Sequence, residues 1–162
     1  MDDSLDFVAT GFFYDNQGTI VENLLYENRI FEKTDIDEYR NKYIVGGDAL
    51  EPSRTFSSTR CNKLYKLDII KCIASHYCEC LELSLGEDSL FTYFLLQYAK
   101  RSKTIMQANT YYYDIGNQGS MMHSKSVDEY FKRGHIAFDM LYDALEKGKN
   151  DTRQAYMFYY LQ

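Results

Sequence analysis

The sequence predicts an α+β fold in which a few strands form part of a mixed sheet and several helices pack on it. Two segments near the amino terminus carry strand-forming residues on either side of a turn signal, and a third such segment lies at 104–114. The remaining segments repeat apolar residues every three to four positions, which indicates helices. Because so few strands cannot build a closed parallel sheet, the chain is α+β, or an α/β sheet cut in half.

The first two strands are predicted to form a hairpin. Phe7–Tyr14 (FVATGFFY) is rich in aromatic and β-branched residues, and Thr19–Tyr26 has similar composition. Between them, Asn16-Gln17-Gly18 supplies residues that tolerate a tight turn. We therefore expect these segments to pair in an antiparallel manner.

Two helices are predicted between the hairpin and residue 75. The first covers 35–44, because Thr34 and Asp37 resemble an N-cap arrangement and Gly46-Gly47 suits its end. The second covers 62–74. Its apolar side is formed by Leu64, Leu67, Ile70 and Ile73.

A third helix and a strand are predicted in the second half of the chain. The helix covers 87–100 and ends in Lys100-Arg101, which suit the negative end of a helix dipole. Its apolar stripe is formed by Leu90, Phe91, Phe94, Leu95 and Tyr98. The strand at 104–114 follows and carries Tyr111-Tyr112-Tyr113 near its end.

A long helix is predicted at 127–147. Ser126-x-x-Glu129 matches a capping box at its start, and Gly148 stands where a C-terminal cap belongs. A last short helix is predicted at 152–161. No linker or repeat divides the chain, so residues 1–162 are expected to form a single domain.

The composition excludes several function classes. With 24 acidic against 18 basic residues, the net charge of −6 argues against nucleic-acid binding, which depends on Lys and Arg contacts to phosphates. No segment approaches the roughly 18 consecutive apolar residues of a membrane span. The start of the chain lacks the pattern of a signal peptide. These features predict a cytoplasmic protein.

The cysteines do not form a recognisable metal motif. Cys78 and Cys80 follow His76 at alternate positions, whereas zinc sites place two or more residues between paired cysteines. No second Cys/His pair completes a set of four ligands. Reduced thiols are the prediction, and no metal ligand is assigned.

The strongest local candidate for chemistry is Glu87-Asp88, in the first turn of the helix at 87–100. The helix dipole and free backbone N–H groups favour ionised carboxylates there. An ionised carboxylate at a fixed position suits a general base that takes a proton from a sugar hydroxyl. Acidic residues in a first helical turn are also ordinary complements to the dipole, and the dyad alone leaves that alternative open.

Three blocks stand in a set order along the chain. They are Cys61-Asn62-Lys63-Leu64-Tyr65-Lys66, Gly86-Glu87-Asp88-Ser89-Leu90-Phe91, and Tyr111-Tyr112-Tyr113 followed by Ser120. This order resembles the second half of the bacterial family 2 glycosyltransferases, which make capsular, cell-wall or lipid-linked glycans. The resemblance covers roughly residues 5 to 145, and three ordered blocks are more specific than any single one.

The resemblance implies a GT-A fold and an inverting displacement on a nucleotide-activated sugar. By the same match, Asp88 is the base that deprotonates the acceptor hydroxyl, and Glu87 is its neighbour at the acceptor site. Asn62 and Lys63 would shape the acceptor cleft. For these two, a helix start with a solvated lysine remains the alternative.

Tyr113 and Ser120 match the family's loop after the strand, which usually covers the donor side of the cleft. The family commonly has an arginine after the last tyrosine, whereas this chain has Asp114. An aspartate repels the diphosphate that an arginine would pair with. We therefore expect no diphosphate contact from Asp114.

The family's first half binds the sugar nucleotide, and its motifs are not recognisable in this chain. It carries an acidic pair for the nucleoside and an Asp-x-Asp motif that holds the diphosphate through a divalent cation. Without that cation the leaving group lacks its main electrostatic stabilisation. The sequence therefore predicts an inactive acceptor-side portion, with Mn²⁺ or Mg²⁺ needed only by the full-length enzyme.

Two other functions stay open at this point. One is a non-catalytic, truncated interaction or dimerisation domain, which an exposed apolar patch would favour. The other is a tyrosine-rich helical binding module unrelated to sugars. The leading hypothesis implies a nucleotide sugar and a glycan acceptor as partners of the full-length enzyme. It leaves open a homodimer and a peripheral membrane association through the acceptor, at the inner face of the membrane.

The hypothesis makes a geometric prediction for Asp88. Its carboxylate should lie in the first turn of its helix and face an open concavity bordered by Tyr113 or the Asn62 segment. No Lys or Arg should be clamped onto it, because a paired carboxylate accepts a proton less readily.

Overall fold

The computed structural model describes residues 4–23, 27–42, 56, 59–77, 83, 86–114, 116 and 127–156. Within these ranges the strands are β1 (Phe7–Asn16), β2 (Thr19–Asn23), β3 (Arg29–Glu32), β4 (Lys63–Tyr65) and β5 (Arg101–Asp114). The helices are α1 (Lys33–Lys42), α2 (Leu67–Tyr77), α3 (Glu87–Tyr98) and α4 (Val127–Lys147), and residues 153–156 are also helical. The predicted α+β class is confirmed.

The strands form one mixed sheet in the order β2-β1-β5-β3, and β4 also pairs with β1. Strands β1 and β5 are parallel, whereas β1–β2, β1–β4 and β3–β5 are antiparallel. Because β4 pairs with the amino half of β1 and β2 with its carboxyl half, the two lie one after the other on the same edge of β1. The sheet is therefore four strands wide at one end and three at the other.

The predicted hairpin is confirmed in its turn and in its pairing. Gln17 and Gly18 both have positive φ angles, 52° and 88°, as a two-residue hairpin turn of type I′ requires. The backbone N–H of Gly18 donates to Asp15 Oδ1 at 2.8 Å. The second strand is described to Asn23, and the rest of its predicted length lies outside the described residues.

A change of register divides the β1–β5 pair. Thr10 aligns with Ile105, the next residue Gly11 aligns with Ala108, and Phe13 aligns with Tyr112. The extra residues on β5 form bulges, which bend a strand and increase its twist. Beyond them the register is regular again to the ends of both strands.

The start of α1 differs from the prediction. The helix begins at Lys33, so Thr34 lies inside it and is not the cap. Asp35 accepts the backbone N–H of Glu32 at 3.1 Å, which is the reciprocal half of a capping box. A carboxylate three residues after the cap satisfies that free donor better than a threonine already within the helix. The predicted Gly46-Gly47 end lies outside the described residues.

Residues 63–65 are a strand, so the predicted start of the second helix at 62 is wrong. They pair with Phe7–Ala9, and α2 begins only at Leu67. Leu64 and Leu67 are each 65% exposed, whereas Ile69 and Ile73 are buried. The apolar spacing suggested one helical face, but pairing with a strand far away in sequence determines the local conformation.

Helix α3 begins and ends close to the predicted bounds but is buried more widely than its predicted stripe. Thr92, Tyr93 and Leu96 are fully buried, whereas Tyr98 is 37% exposed. The reason is that α3 contacts α1, α2 and α4. A helix covered on several sides has no single apolar face.

Helix α4 spans Val127–Lys147, as predicted, and its capping residue Ser126 lies outside the described residues. The positive φ angle at its end, 54°, belongs to Lys149 and not to Gly148. Gly148 is needed for a different reason, since a Cβ there would lie 2.9 Å from the Tyr93 hydroxyl and would clash with Asn150. None of the helices in the described ranges has the length and apolar character of a membrane span.

Candidate functional site

The three sequence blocks lie together at one side of the sheet. The turn before β4 carries Arg60 and Cys61, and Arg60 contacts both Glu87 and Asp88 at the start of α3. Cys61 makes a side-chain hydrogen bond with Tyr111 of β5. Segments that are 25 to 50 residues apart in sequence thus form one cluster, which we call the Arg60 cluster: Arg60, Cys61, Lys63, Glu87, Asp88 and Tyr111.

Asn62 fixes the turn to the sheet. Its side chain is 1% exposed, and its Nδ2 donates to the Thr10 carbonyl at 2.6 Å. In return the Thr10 N–H donates to the Asn62 carbonyl at 2.9 Å. Thr10 adjoins the Gly11 bulge, so the turn is attached where the β1–β5 register changes. Asn62 therefore holds the turn against β1.

Lys63 is a buried cation beneath the same turn. Only 7% of it is exposed, and its Nζ donates to the Thr59 carbonyl at 2.5 Å and to Asn62 Oδ1 at 2.9 Å. Burial lowers the pKa of Lys63 to about 7, although negative charge on Asp88 and Cys61 opposes that shift. The alternative of a helix start with a solvated lysine is wrong, because Asn62 and Lys63 are both buried and precede or lie in β4. Together they shape the site by holding its turn.

Glu87 and Asp88 occupy the first turn of α3, as predicted. Gly86, with φ of 82°, turns the chain into the helix, and its carbonyl accepts the Leu90 N–H at 3.0 Å. The side chain of Glu87 is 17% exposed and that of Asp88 is 36% exposed. Both carboxylates therefore sit at the edge of the protein surface beside the turn that Asn62 anchors.

The prediction that no cation would be clamped onto Asp88 is wrong. Arg60 Nε donates to Asp88 Oδ1, and Arg60 Nη2 lies 3.5 Å from Glu87 Oε1. The Arg60 carbonyl in turn accepts the Tyr65 hydroxyl at 2.8 Å, which holds the arginine backbone. No local sequence pattern predicts this contact, because Arg60 reaches α3 only once β4 has paired with β1.

Two tyrosines enclose the cluster. Burial, reinforced by the charge of Asp88, raises the pKa of Tyr65 above its ordinary range, and its ring packs against the edge of Phe91 at 5.4 Å. The hydrogen bond to Cys61, together with partial burial, raises the pKa of Tyr111 to about 12. Both hydroxyls therefore stay protonated at neutral pH and can take part in hydrogen bonds.

A row of aromatic rings continues from the Arg60 cluster along the sheet. Tyr113 lies 6.5 Å from Tyr111 and 6.1 Å from Tyr14, measured between ring centroids, and Tyr14 lies 4.9 Å from Phe12. Alternation along a strand places these rings on one face. On the opposite face Tyr112 stacks on Phe13 at 4.7 Å. We call Tyr111, Tyr113 and Tyr14 the tyrosine row.

Sequence reasoning found part of this site. Glu87, Asp88, Asn62, Lys63 and Tyr113 belong to it or support it, whereas Ser120 lies outside the described residues. Four further members were missed: Arg60, Cys61, Tyr111 and Tyr14. Tyr111 stands two residues before Tyr113, so strand alternation was the available signal for it. Asp114 uses its Oδ1 to accept the Gly116 N–H at 2.9 Å.

A separate cleft of about 420 Å³ lies between α2, α3 and α4. His76 lines it, stacks on Phe94 with ring centroids 4.8 Å apart, and shares a 2.8 Å hydrogen bond with the Tyr98 hydroxyl. This cleft adjoins the carboxyl-terminal part of α3, whereas Asp88 is at the amino-terminal end. This cleft is thus not the place where the sequence blocks meet.

The described residues contain no group of three or more His, Cys, Asp or Glu side chains arranged to hold a metal ion. Comparison with protein-family models, with curated proteins and with solved structures finds no match.

Proposed function

We propose that this chain is the acceptor-side portion of a family 2 glycosyltransferase of GT-A fold, in which the Arg60 cluster receives the hydroxyl of a glycan or lipid-linked acceptor. The observation that carries the proposal is the convergence of the three blocks. Their order in sequence suggested a shared site, and a parallel strand pair with a helix packed beside it brings Arg60, Asp88 and Tyr111 together. A chance order of motifs has no reason to converge in space.

The proposed reaction needs one base. The acceptor O–H bond breaks as its proton passes to the Asp88 carboxylate, and the oxygen forms a new bond to the anomeric carbon of the donor. The bond from that carbon to the diphosphate breaks, and its electron pair leaves with the nucleoside diphosphate. Inversion follows because attack and departure occur on opposite faces of the sugar. A positioned base contributes about 10²–10⁴-fold to such a rate.

Arg60 occupies one of the two carboxylate oxygens of the proposed base. It binds Asp88 Oδ1, and among the described residues no hydrogen bond to Oδ2 is found. A carboxylate has two oxygens, so Oδ2 is the atom that would accept the proton. The guanidinium fixes the carboxylate in one orientation.

Glu87 has a different position from Asp88. Its side chain is half as exposed, and its nearest cationic atom is Arg60 Nη2 at 3.5 Å. We assign Glu87 to holding Arg60 rather than to proton transfer. Arg60 thus lies between the two carboxylates. Glu87 positions the arginine, and Asp88 meets the acceptor.

The remaining parts of the reaction are assigned to a nucleotide-binding half outside this chain. That half would bind the nucleotide sugar and the divalent cation, so no step above is routed through a metal. The chain alone should bind acceptor without transferring sugar. Cytoplasmic location, homodimer formation and attachment to a membrane through a lipid-linked acceptor are compatible with this proposal.

The proposal is tested by Asp88→Asn in the enzyme that includes the nucleotide-binding half. This change keeps the size and hydrogen bonding of the side chain but removes the proton acceptor, so transfer should fall about 10²–10⁴-fold. Glu87→Gln should lower it less. The matched control is Asp68→Asn, because Asp68 also lies in the first turn of a helix, is 76% exposed, and forms an ion pair with nearby Lys71.

Two outcomes would count against the proposal. Transfer by Asp88→Asn at the wild-type rate, with acceptor binding intact, removes the base assignment and makes the dyad an ordinary helix start. Tight binding of a nucleotide sugar to this chain alone, measured by calorimetry with Mn²⁺ or Mg²⁺, would mean that the donor site has been misplaced.

A further inference from the structure

The tyrosine row begins at the Arg60 cluster and leads away from it. Tyr111 contacts Cys61 directly, and the next two rings follow in steps of 6.5 and 6.1 Å. The step from Tyr111 to Tyr113, along β5, is similar to the advance from one sugar unit to the next along a glycan. Tyr14 lies beside Tyr113 on the neighbouring strand, so a ligand that starts at Asp88 would meet Tyr111 first and then Tyr113 and Tyr14 side by side.

The rings are suited to sugars by their chemistry. A tyrosine offers an apolar ring face and a hydroxyl at its edge, which matches a pyranose with C–H groups on its faces and hydroxyls on its rim. Tyr113 is 37% exposed, and Tyr111 and Tyr14 are half-buried. Rings held in this way lose little side-chain entropy when a ligand binds.

Charge distinguishes the two faces of this end of the sheet. Register and alternation place the acidic residues of the three strands on the face opposite the row: Asp15, Glu22 and Asp114. The face of the row carries uncharged neighbours, among them Phe12 and Val21. An uncharged strip beside a cluster whose carboxylates are already paired with Arg60 favours a neutral ligand.

We infer that the acceptor is a neutral oligosaccharide of at least three sugar units, the terminal unit at Asp88, the second at Tyr111 and the third at the neighbouring rings of Tyr113 and Tyr14. The inference rests on the proposed function, since it names the substrate class of that site. It adds what the sequence blocks do not contain: a length, a direction and a charge for the acceptor.

The test measures how binding depends on glycan length. Ladders of one to five units of β-1,4-linked glucose, α-1,4-linked glucose and β-1,4-linked N-acetylglucosamine are titrated into the chain and followed by two-dimensional NMR. For the ladder that binds, affinity should rise roughly 2- to 10-fold per unit up to the third or fourth unit, the worth of one ring contact, and then level off. An oligogalacturonate ladder should bind more weakly than the neutral one.

Variants connect that dependence to the row. Tyr113→Ala and Tyr14→Ala should remove the gain from the third unit onward, whereas Tyr113→Phe, which keeps the ring, should retain most of it. The matched control is Tyr112→Ala: this tyrosine is on the same strand and 58% exposed, but it lies on the opposite face. For this variant, the dependence of affinity on glycan length should match that of the wild type.

The outcomes separate the inference from the proposed function. If a glycan shifts the resonances around Asp88 but Tyr113→Ala and Tyr112→Ala behave alike, the tyrosine row is not the path and only the inference fails. Equal or tighter binding of the galacturonate ladder overturns the neutral charge assignment. If none of the ladders binds, the inference falls and the acceptor-site proposal falls with it.

Discussion

The two halves of the β1–β5 pair have the same backbone pairing but different surroundings. Before the bulge at Gly11, Phe7, Ser102 and Thr104 are fully buried, with β4 on one side and β3 on the other. After it, Tyr112 and Tyr113 are exposed, and only β2 adds a further strand. One parallel pair therefore builds the core with its amino half and presents the candidate site with its carboxyl half.

The difference shows where this fold can carry function. The outer strands β3 and β4 end before the β1–β5 pair does. The last residues of β1 and β5 therefore still alternate in side-chain direction, but β3 and β4 no longer flank them. Side chains fixed by a rigid strand yet open to solvent are well placed to bind a ligand. The predictions below test whether stability and binding separate at Gly11.

The largest effect is expected in the core half. Phe7 is fully buried, and its ring meets the edge of Phe56 at 5.4 Å. Phe7→Ala should lower the free energy of unfolding by about 3–5 kcal/mol, the usual cost of such a cavity, measured by urea denaturation. Tyr112→Ala, in the other half, should cost about 1 kcal/mol or less. Equal losses would show that the two halves do not differ in this way.

An intermediate effect is expected at the attachment of the turn. Asn62→Ala removes the buried 2.6 Å bond to the Thr10 carbonyl, which should cost about 1–3 kcal/mol. Asn28→Ala is the matched control, since Asn28 Oδ1 accepts the Met106 N–H at 2.8 Å at an exposed position. A control variant that is destabilised as strongly as Asn62→Ala would remove the special role of the turn.

The third effect is a dependence of stability on pH, which is spread over several pH units. Lys63 has a pKa of about 7 in the folded chain against an ordinary value of 10.5, so between these values the unfolded chain binds a proton that the folded chain does not. The free energy of unfolding should therefore rise as pH increases from 7 to 9.5, by at most about 1.4 kcal/mol per pH unit. Below pH 7 the lysine is protonated in both states, and its contribution is constant.

The measurement compares the pH dependence of variants rather than their absolute stability. Lys63→Met should remove the rise, whereas Lys71→Met, which changes an exposed lysine, should keep it. Readings stop at pH 9.5 because the raised pKa of Tyr111 stabilises the fold below pH 10 and this contribution disappears as pH rises through 12. An unchanged slope in Lys63→Met would assign the rise to another group.

Sequence patterns predicted the parts of the fold that depend on neighbours in the chain. The turn at Gln17-Gly18 follows from residues that tolerate positive φ angles, and α4 follows from sustained helical spacing. Residues 63–65 were assigned to a helix because the partner that makes them a strand, Phe7–Ala9, is more than fifty residues away. The contact of Arg60 with Asp88 was missed for the same reason. Both features depend on contacts between residues that are distant in sequence, which local patterns do not encode.

The parallel pairing of β1 and β5 also affects how the protein is made. A parallel neighbour can be reached only through a long crossover, and here that crossover contains most of the chain. As the ribosome extends the polypeptide, β1 emerges early and its edge stays uncovered until β5 is synthesised. Pairing between such distant segments is slow, and an uncovered apolar strand promotes aggregation. We therefore expect that nascent chains ending before residue 101 lack the site and depend on chaperones for solubility.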